Sequence, residues 1–170
     1  MKKHYKHIIS GLLLIAFVVS CKVNYSFSGI NISKDIKTYE VDYIPNNAPL
    51  VEPGLNEDFR NMLIDRIDRQ TGLTQVKDNG DIVFQGEIVD YKIEPAALSA
   101  GQTAAKNRLT IGIKIDYINQ KNPDDNISKR YSWYYDYPAA TSLNDIKSQA
   151  HEDILNTILD QLFNDTLAKW

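Results

Sequence analysis

The sequence predicts an α+β domain in which two helices pack on one face of a mostly antiparallel sheet of about four strands. Several segments alternate apolar and polar residues, which is typical of half-buried strands, and two segments carry apolar residues at helical spacing. Their order is strand, strand, helix, strands, helix, which favours the α+β class. The 170 residues are 43% hydrophobic, an ordinary value for a single compact domain.

Residues 1–20 have the features of an export signal. Three lysines precede an apolar run from Ile8 to Val19, which is too short to span a bilayer. The next residues, Val18-Val19-Ser20-Cys21, resemble the bacterial lipobox, and this resemblance implies lipidation of Cys21. We therefore expect a lipoprotein signal peptide over 1–20 and one domain over 21–170. The alternative is that Cys21 is a buried or spare thiol; with one cysteine, an internal disulfide is excluded.

The charge of the remaining chain bears on its partners. Removing residues 1–20 takes away three of the 19 basic residues and none of the 22 acidic residues, which leaves a net charge of −6. Because nucleic-acid-binding domains usually have a basic excess, we expect no nucleic acid as a partner. Lys22 to Asn24 separate Cys21 from a predicted strand at Tyr25 to Phe27 and reach about 10 Å when extended, so the domain should lie against its membrane.

The first half of the domain contains two strands and a helix. Thr38 to Ile44 predicts a strand with Tyr39, Val41 and Tyr43 on its apolar face. Leu55 to Thr71 predicts a helix, because its apolar residues have helical spacing and acidic residues occupy its first turn. Ile82 to Ile93 predicts a second strand whose apolar face changes near Gly86, where we expect a β-bulge.

The second half contains two strands and a long helix. The odd-numbered residues are apolar from Leu109 to Tyr117 and again, except for Lys129, from Ile127 to Tyr137. Ser142 begins a predicted capping box, and the helix that follows could run nearly to Trp170. Its apolar stripe is wider than one sheet contact needs, so part of it should face a partner. The residues that widen the stripe are Leu155, Leu159, Leu162 and Phe163.

The register of the last two strands can be predicted from charge. Aligning their odd-numbered apolar faces leaves two registers, one with Asp116 opposite Arg130 and one with Lys114 opposite Arg130. Like charges directly opposite each other destabilise a sheet. We therefore predict that Asp116 lies opposite Arg130.

Candidate catalytic and metal-binding residues are few. His151 is the only histidine after residue 20, and its neighbours Gln149, Glu152 and Asp153 suggest a solvated position on the last helix. The chain has no phosphate-binding glycine pattern and no spaced calcium loop. We expect a protein that is not an enzyme and that binds neither a cofactor nor a metal.

Two groups of side chains are candidates for binding. Five aromatic residues occur between Tyr131 and Tyr137, and we expect the odd-numbered ones in the core and Tyr134 exposed at an interface. A cationic group stands out in this acidic chain, and it could bind a ligand that carries phosphate. The candidate residues are Lys106, Arg108, Lys114 and Arg130, with Lys129 nearby.

Four segments together resemble one family. They are Tyr25-Ser26-Phe27-Ser28-Gly29, Tyr43-Ile44-Pro45-Asn46-Asn47-Ala48-Pro49-Leu50-Val51, Gly80-Asp81-Ile82-Val83-Phe84-Gln85-Gly86 and Asn107-Arg108-Leu109-Thr110-Ile111. With the lipobox, they are similar to the lipopolysaccharide-assembly lipoproteins, the LptE family. The resemblance covers the chain after the signal peptide, in the same order.

The resemblance implies a lipid-anchored protein of the outer membrane that faces the periplasm or lies inside a barrel. Members of the family plug the lumen of the lipopolysaccharide translocon barrel (LptD-type), assist its assembly and contact lipopolysaccharide during export. No family motif identifies the ligand-contacting residues here, so the cationic candidates remain an inference from this sequence. Two alternatives are a lipoprotein activator of a cell-wall synthase, which normally needs a long tether, and a surface lipoprotein that binds glycans.

Overall fold

A computed structural model describes residues 32–96 and 105–168. The predicted lipidation site Cys21 and the predicted strand at Tyr25 to Phe27 lie outside these ranges. The regular elements are β1 (Thr38–Val41), α1 (Leu55–Gln70), β2 (Thr74–Gln75), β3 (Ile82–Pro95), β4 (Lys106–Asn119), a short 3₁₀ helix (Pro123–Asp125), β5 (Ile127–Pro138) and α2 (Leu143–Thr166). None of the helices in the described ranges is long and apolar enough to cross a membrane.

The fold is α+β, as predicted, and its sheet has five strands in the order β2-β1-β3-β4-β5. The long strands β3, β4 and β5 form an antiparallel meander, whereas β1 is parallel to both β2 and β3. The sheet is therefore mixed and has one strand more than predicted. The two-residue strand β2 is too short to show an alternating pattern, which explains why the sequence did not predict it.

Helix α1 confirms the predicted segment within one residue at its C-terminus. Its buried residues recur every fourth position and form a single stripe against the sheet: Leu55, Phe59, Leu63 and Ile67. The helix begins after Gly54, whose φ of +84° lies in the left-handed region that glycine adopts without strain. Glu57 and Asp58 occupy the first turn, where the positive end of the helix dipole favours acidic side chains.

Helix α2 begins after Ser142, as predicted, although the Ser142 hydroxyl makes no capping hydrogen bond. The helix packs against β5, β4 and α1, and its wide apolar stripe covers all three. Leu155, Leu159 and Leu162 are buried, and Phe163 is only 4% exposed. The prediction that part of this stripe faces a partner is therefore wrong for these residues, because α1 covers the area that the sheet leaves free.

The short strand β1 is held by side chains of distant residues. The carboxylate of Asp81 accepts hydrogen bonds from the backbone N–H groups of Lys37 and Thr38, at 2.8 and 3.0 Å, and pairs with Lys121 at 2.9 Å. These hydrogen bonds, that from Lys121 above all, hold the pKa of the Asp81 carboxyl well below its usual range. The Tyr39 hydroxyl donates to Asp68 on α1 at 2.6 Å. Tyr39 and Val41 are buried, but Tyr43 follows the end of β1 and is 68% exposed, contrary to prediction.

The β4–β5 register differs from the prediction. Lys114, and not Asp116, lies opposite Arg130, while Asp116 lies opposite Ser128. This register places Arg108 opposite Asp136. In the predicted register, Arg108 would have been opposite Pro138. The bidentate ion pair between Arg108 and Asp136 offsets the repulsion between Lys114 and Arg130.

Two carboxylates on β3 also reduce the repulsion between Lys114 and Arg130. Arg130 pairs with Asp90, and Glu87 lies directly opposite Lys114. A comparison of only two strands could not include these contributions from the third strand. The register prediction was wrong for that reason.

The bulge in β3 occurs three residues beyond the predicted position. The β3–β4 register shifts between Ile88 and Asp90, which places the extra residue at Val89. Gly86 has a different role, since a Cβ atom there would lie 2.3 Å from the backbone oxygen of Lys114. The glycine permits a close approach of two backbones, which is the other common meaning of a glycine within a strand.

Candidate functional site

The candidate site is the sheet face that no helix covers, called here the open face. Alternate residues of a strand point to opposite faces, and the odd-numbered residues of β4 from Leu109 to Tyr117 are buried in the core with the helices. The even-numbered residues of β4 therefore form the centre of the open face. Across the three long strands its rows are Glu94, Arg108 and Asp136; Lys92, Thr110 and Tyr134; Asp90, Gly112 and Ser132; Glu87, Lys114 and Arg130; and Gln85, Asp116 and Ser128.

Arg108 is fixed by a carboxylate and an aromatic ring. Its Nε and Nη2 atoms donate to the two carboxylate oxygens of Asp136 at 2.6 and 2.8 Å, and its guanidinium carbon lies 3.6 Å from the centre of the Tyr134 ring. The hydrogen bonds from Arg108 lower the pKa of the Asp136 carboxyl, and the same pairing raises the pKa of Arg108. Both groups therefore remain charged at neutral pH.

Asp90 pairs with two basic side chains in the space next to Gly112. Its carboxylate contacts Arg130 and pairs with Lys92 at 3.1 Å. The space exists because Gly112 has no side chain: a Cβ there would lie 2.7 Å from Oδ2 of Asp90 and 3.2 Å from Nη2 of Arg130. Gly112 thus lets a β3 carboxylate and a β5 guanidinium meet across the middle strand.

Lys114 is the most available cation on this face. Its side chain is exposed and takes part in no hydrogen bond or ion pair within the described ranges, although Arg130 and Glu87 flank it in the sheet. Glu87 accepts a hydrogen bond from Nδ2 of Asn47 at 2.7 Å. Lys106 lies at the start of β4, where its charge contributes to the lowered pKa of Asp136.

All four predicted cations lie at even-numbered positions of β4 and β5, but only Lys114 and Arg130 are cross-strand neighbours, and Arg108 lies about 20 Å from Lys114 along β4. Lys129, which the sequence analysis grouped with them, pairs instead with Asp165 of α2 at 2.6 Å and lies over the ring of Tyr131. The carboxylates that bind Arg108 and Arg130 could not be predicted from the sequence, because Asp136 and Asp90 come from other strands. As a result, two of the four predicted ligand cations are already paired.

The two predicted interface residues have different environments. Tyr134 is 42% exposed on the edge strand β5, as expected. Its neighbour Trp133 is also 41% exposed, although the odd-numbered aromatic residues were expected in the core, and Tyr131 and Tyr137 do lie there. Phe163 belongs to the core between α2 and α1 and offers almost no surface to a partner.

His151 is buried, contrary to the expectation of a solvated position. It is 9% exposed, and Nε2 of its ring lies 3.1 Å from the Tyr91 hydroxyl. Burial lowers the pKa of His151, so the ring is neutral at pH 7. A cleft of about 440 Å³ lies beside it, and at the cleft the Lys147 ammonium pairs with Glu52 at 2.8 Å. The pairing with Tyr91 has no sequence signal, because the two residues lie on different elements.

Metal binding has no support in the described part of the chain. Within residues 32–96 and 105–168, no group of three or more His, Cys, Asp or Glu side chains is placed to hold a metal ion. The paired carboxylates of the open face instead have basic side chains as partners.

Comparison with known families identifies the chain. The model of the LptE family, described as Lipopolysaccharide-assembly, matches residues 36–166, well over half of the sequence. This chain belongs to the LptE family. The resemblance found in the sequence is therefore confirmed, and the match includes every element of the fold from β1 to α2.

Solved structures are similar to this chain at low sequence identity, and one of them shows the same fold with a TM-score above 0.5. The hypothetical protein CT253 from Chlamydia trachomatis is 8% identical, with a TM-score of 0.54 over 79% of this chain and 99% of that chain. A minor lipoprotein from Acinetobacter baumannii is 11% identical, with a TM-score of 0.47 over 75% and 90%. Lipoprotein B from Nitrosomonas europaea is 13% identical, with a TM-score of 0.43 over 78% and 86%. Among curated proteins, no sequence matches this LptE-family chain significantly.

Proposed function

We propose that this LptE-family chain is an outer-membrane lipoprotein that plugs and helps to assemble the lipopolysaccharide translocon barrel, an LptD-type partner, and assists lipopolysaccharide export. The observation that carries the proposal is the family match over residues 36–166. The protein acts by binding and not by catalysis. It faces the periplasm or lies within the barrel lumen.

Membrane attachment is proposed to occur through Cys21. Lipid chains on this residue would hold the domain at the membrane, since more than one acyl chain is needed for stable anchoring. Mass spectrometry of the mature N-terminus tests this step, and Cys21→Ser is expected to accumulate as an unlipidated precursor. An unmodified mature N-terminus in the wild type would refute the anchor.

The open face is the proposed contact for lipopolysaccharide phosphates. Lys114 and Arg130 lie directly opposite each other, and Asp90 and Glu87 only partly offset their repulsion, because the Lys114 side chain makes no ion pair within the described ranges. A phosphate bound there would reduce the remaining repulsion and accept hydrogen bonds from both side chains. Lys106 and Arg108 extend the cationic surface along β4, although Arg108 would keep its pairing with Asp136.

The barrel contact is proposed to lie near Tyr134. This residue is on the free edge of the sheet, and aromatic side chains of this exposure often anchor protein interfaces. Phe163 is not included, because its side chain is buried within this chain.

Site-specific photo-crosslinking from Tyr134 and Lys114 tests the proposal in cells. We expect adducts to a large outer-membrane barrel from Tyr134 and adducts to lipopolysaccharide from Lys114. Lys77, an exposed lysine on the loop between β2 and β3, is the matched control and should give few lipopolysaccharide adducts. The absence of barrel adducts from both positions, with lipidation intact, would disprove the plug. Equal lipopolysaccharide adducts from Lys77 and Lys114 would disprove the assignment of the open face.

A further inference from the structure

Lys114 has two carboxylates beside it on the open face, yet it pairs with neither. Glu87 of β3 lies directly opposite Lys114, and Asp116 is the next residue of β4 that points to this face. Opposite charges in such positions normally attract each other and stabilise a sheet. The Lys114 side chain nevertheless makes no ion pair within residues 32–96 and 105–168. Other groups must therefore hold the two carboxylates away from it.

A side-chain amide holds the carboxylate of Glu87. Nδ2 of Asn47 donates a hydrogen bond to Oε2 of Glu87 at 2.7 Å. Asn47 belongs to the loop that follows β1, and this loop lies beside β3 at a parallel bridge between Asn46 and Ile88. Because β4 pairs along the other side of β3, the hydrogen bond draws the carboxylate away from Lys114.

The loop holds Asn47 in a fixed position. The backbone N–H of Ile88 donates to the oxygen of Pro45, and the N–H of Asn47 donates to the oxygen of Ile88, both at 2.9 Å. Ile44 and Ala48, on either side of these contacts, are buried in the core. The loop is one of the four segments in which the sequence resembles the LptE family. It thus supplies a neutral donor at the margin of the open face.

A hydroxyl holds the second carboxylate, that of Asp116. Ser128 of β5 lies directly opposite Asp116, and its Oγ donates to Oδ1 of that carboxylate. The carboxylate is thereby drawn across to β5 and not along β4 toward Lys114. Asp90 shows the alternative. In the part of the chain that the structure describes, no neutral side chain donates to its carboxylate, and it pairs with Arg130.

We propose that Asn47 is a positioning residue that keeps Lys114 unpaired for a phosphate of lipopolysaccharide. A phosphate that binds a paired lysine must first displace the carboxylate, whereas a free ammonium group donates to the phosphate directly. The amide of Asn47 satisfies Glu87 without using a cation. The inference rests on the proposed function, because lipopolysaccharide supplies the phosphate. Asn47 acts through Glu87 and Lys114 and does not touch the ligand.

Calorimetry of lipopolysaccharide binding to the full-length lipidated protein in detergent tests the positioning. The probes are purified lipopolysaccharide and the same material after removal of its phosphates. Asn47→Ala frees Glu87 to pair with Lys114, so it should weaken binding of the intact probe by about fivefold. Binding of the dephosphorylated probe should not change. In a Glu87→Gln background, Asn47→Ala should have no effect on either probe, since no carboxylate remains opposite Lys114.

A control and two outcomes decide between positioning and a structural role. Asn61→Ala removes another exposed asparagine side chain, on α1, and should leave binding unchanged. Equal binding by Asn47→Ala and the wild type overturns the positioning. An equal loss from Asn47→Ala in the wild-type and Glu87→Gln backgrounds also overturns it, because the loss would then not depend on the carboxylate.

A stability measurement without ligand separates this inference from the proposed function. Urea denaturation of Glu87→Gln, Lys114→Gln and the double variant gives the coupling between the two side chains. We expect no coupling in the wild-type background and about a twofold or larger change in the unfolding equilibrium constant in the Asn47→Ala background. If this coupling appears but lipopolysaccharide does not bind, the lipopolysaccharide assignment is wrong, while Asn47 still keeps Glu87 from Lys114. If lipopolysaccharide binds but neither background shows coupling, the positioning is wrong and the proposed function stands.

Discussion

The two faces of the sheet are stabilised in different ways. The face toward the helices is continuous apolar packing, in which Leu109, Ile111 and Ile113 are buried against α1 and α2. The open face carries a network of ion pairs, in which Arg108 is bound to Asp136 and Arg130 is bound to Asp90. The same strands carry both faces, so the two kinds of interaction can be compared at adjacent residues.

The comparison shows that each face specifies a different property of the fold. Apolar alternation decides which side of a strand is buried, and it tolerates any register that keeps odd-numbered residues together. Charge pairing across three strands then selects one register among those allowed. Burial supplies most of the stability, because exposed ion pairs contribute little individually.

The largest expected effect is on the free energy of unfolding. It is predicted by comparing alanine substitutions at two adjacent residues of β4 that point to opposite faces. Ile111→Ala should lower the free energy of unfolding by about 2–5 kcal/mol, because it leaves a cavity in the core. Thr110→Ala should change it by less than about 1 kcal/mol, since Thr110 lies on the open face. Urea denaturation measures both. Similar losses for the two variants would show that the open face contributes to stability as much as the core does.

Two glycines allow a second comparison of the faces. Gly86→Ala should destabilise the protein by about 1–3 kcal/mol, because the new Cβ meets the backbone oxygen of Lys114 and cannot displace it easily. Gly112→Ala should cost less, since its Cβ meets the side chains of Asp90 and Arg130, which can move. Thermal unfolding of the two variants should rank them in this order. The reverse order would mean that Asp90 is held as rigidly as the backbone.

His151 should make the stability of the fold depend on pH. Burial lowers its pKa in the folded state, so the unfolded chain binds the proton more readily. Stability is therefore full above the unfolded pKa of about 6.5 and falls as the pH decreases through that value. His151→Gln, which keeps a partner for Tyr91, should flatten the unfolding profile in this window. An unchanged slope in the variant would contradict the neutral buried histidine.

The smallest expected effect is on the open face, at Asp136. Arg108 lowers the folded pKa of this carboxyl, so its contribution is present above the unfolded pKa of about 3.9 and is lost as the pH falls through the lower folded value. Asp136→Asn should be slightly less stable than the wild type at neutral pH, and the difference should vanish in acid. Because the pair is partly exposed, added salt should also reduce the difference. A difference that persists in acid would indicate a role other than charge pairing.

Much of the fold could be predicted because its signals are local. Helix α1 and the start of α2 follow from apolar spacing and flanking residues, and the buried side of β4 follows from alternation within fourteen residues. The cations of the open face could also be placed, since Arg108 and Lys114 share one face of a strand by parity alone.

The errors concern contacts between distant segments. The β4–β5 register depends on Asp90 of a third strand, the burial of His151 depends on Tyr91, and the burial of Phe163 depends on how α1 is placed. Each of these needs the three-dimensional arrangement before the pairing is visible. Sequence periodicity could predict which side chains are apolar, but not which ones share a contact.

The parallel position of β1 has a consequence for the order of folding. Its residues pair with β3 across more than forty positions of sequence, whereas β3, β4 and β5 follow one another as a meander. Closing a longer loop costs more entropy, so the meander should assemble first and β1 should join later. Amide hydrogens of β1 are then expected to exchange with solvent before those at the centre of β4. The strands β3, β4 and β5, which carry the network of ion pairs, would thus be the first part of the chain to fold and the last part to open.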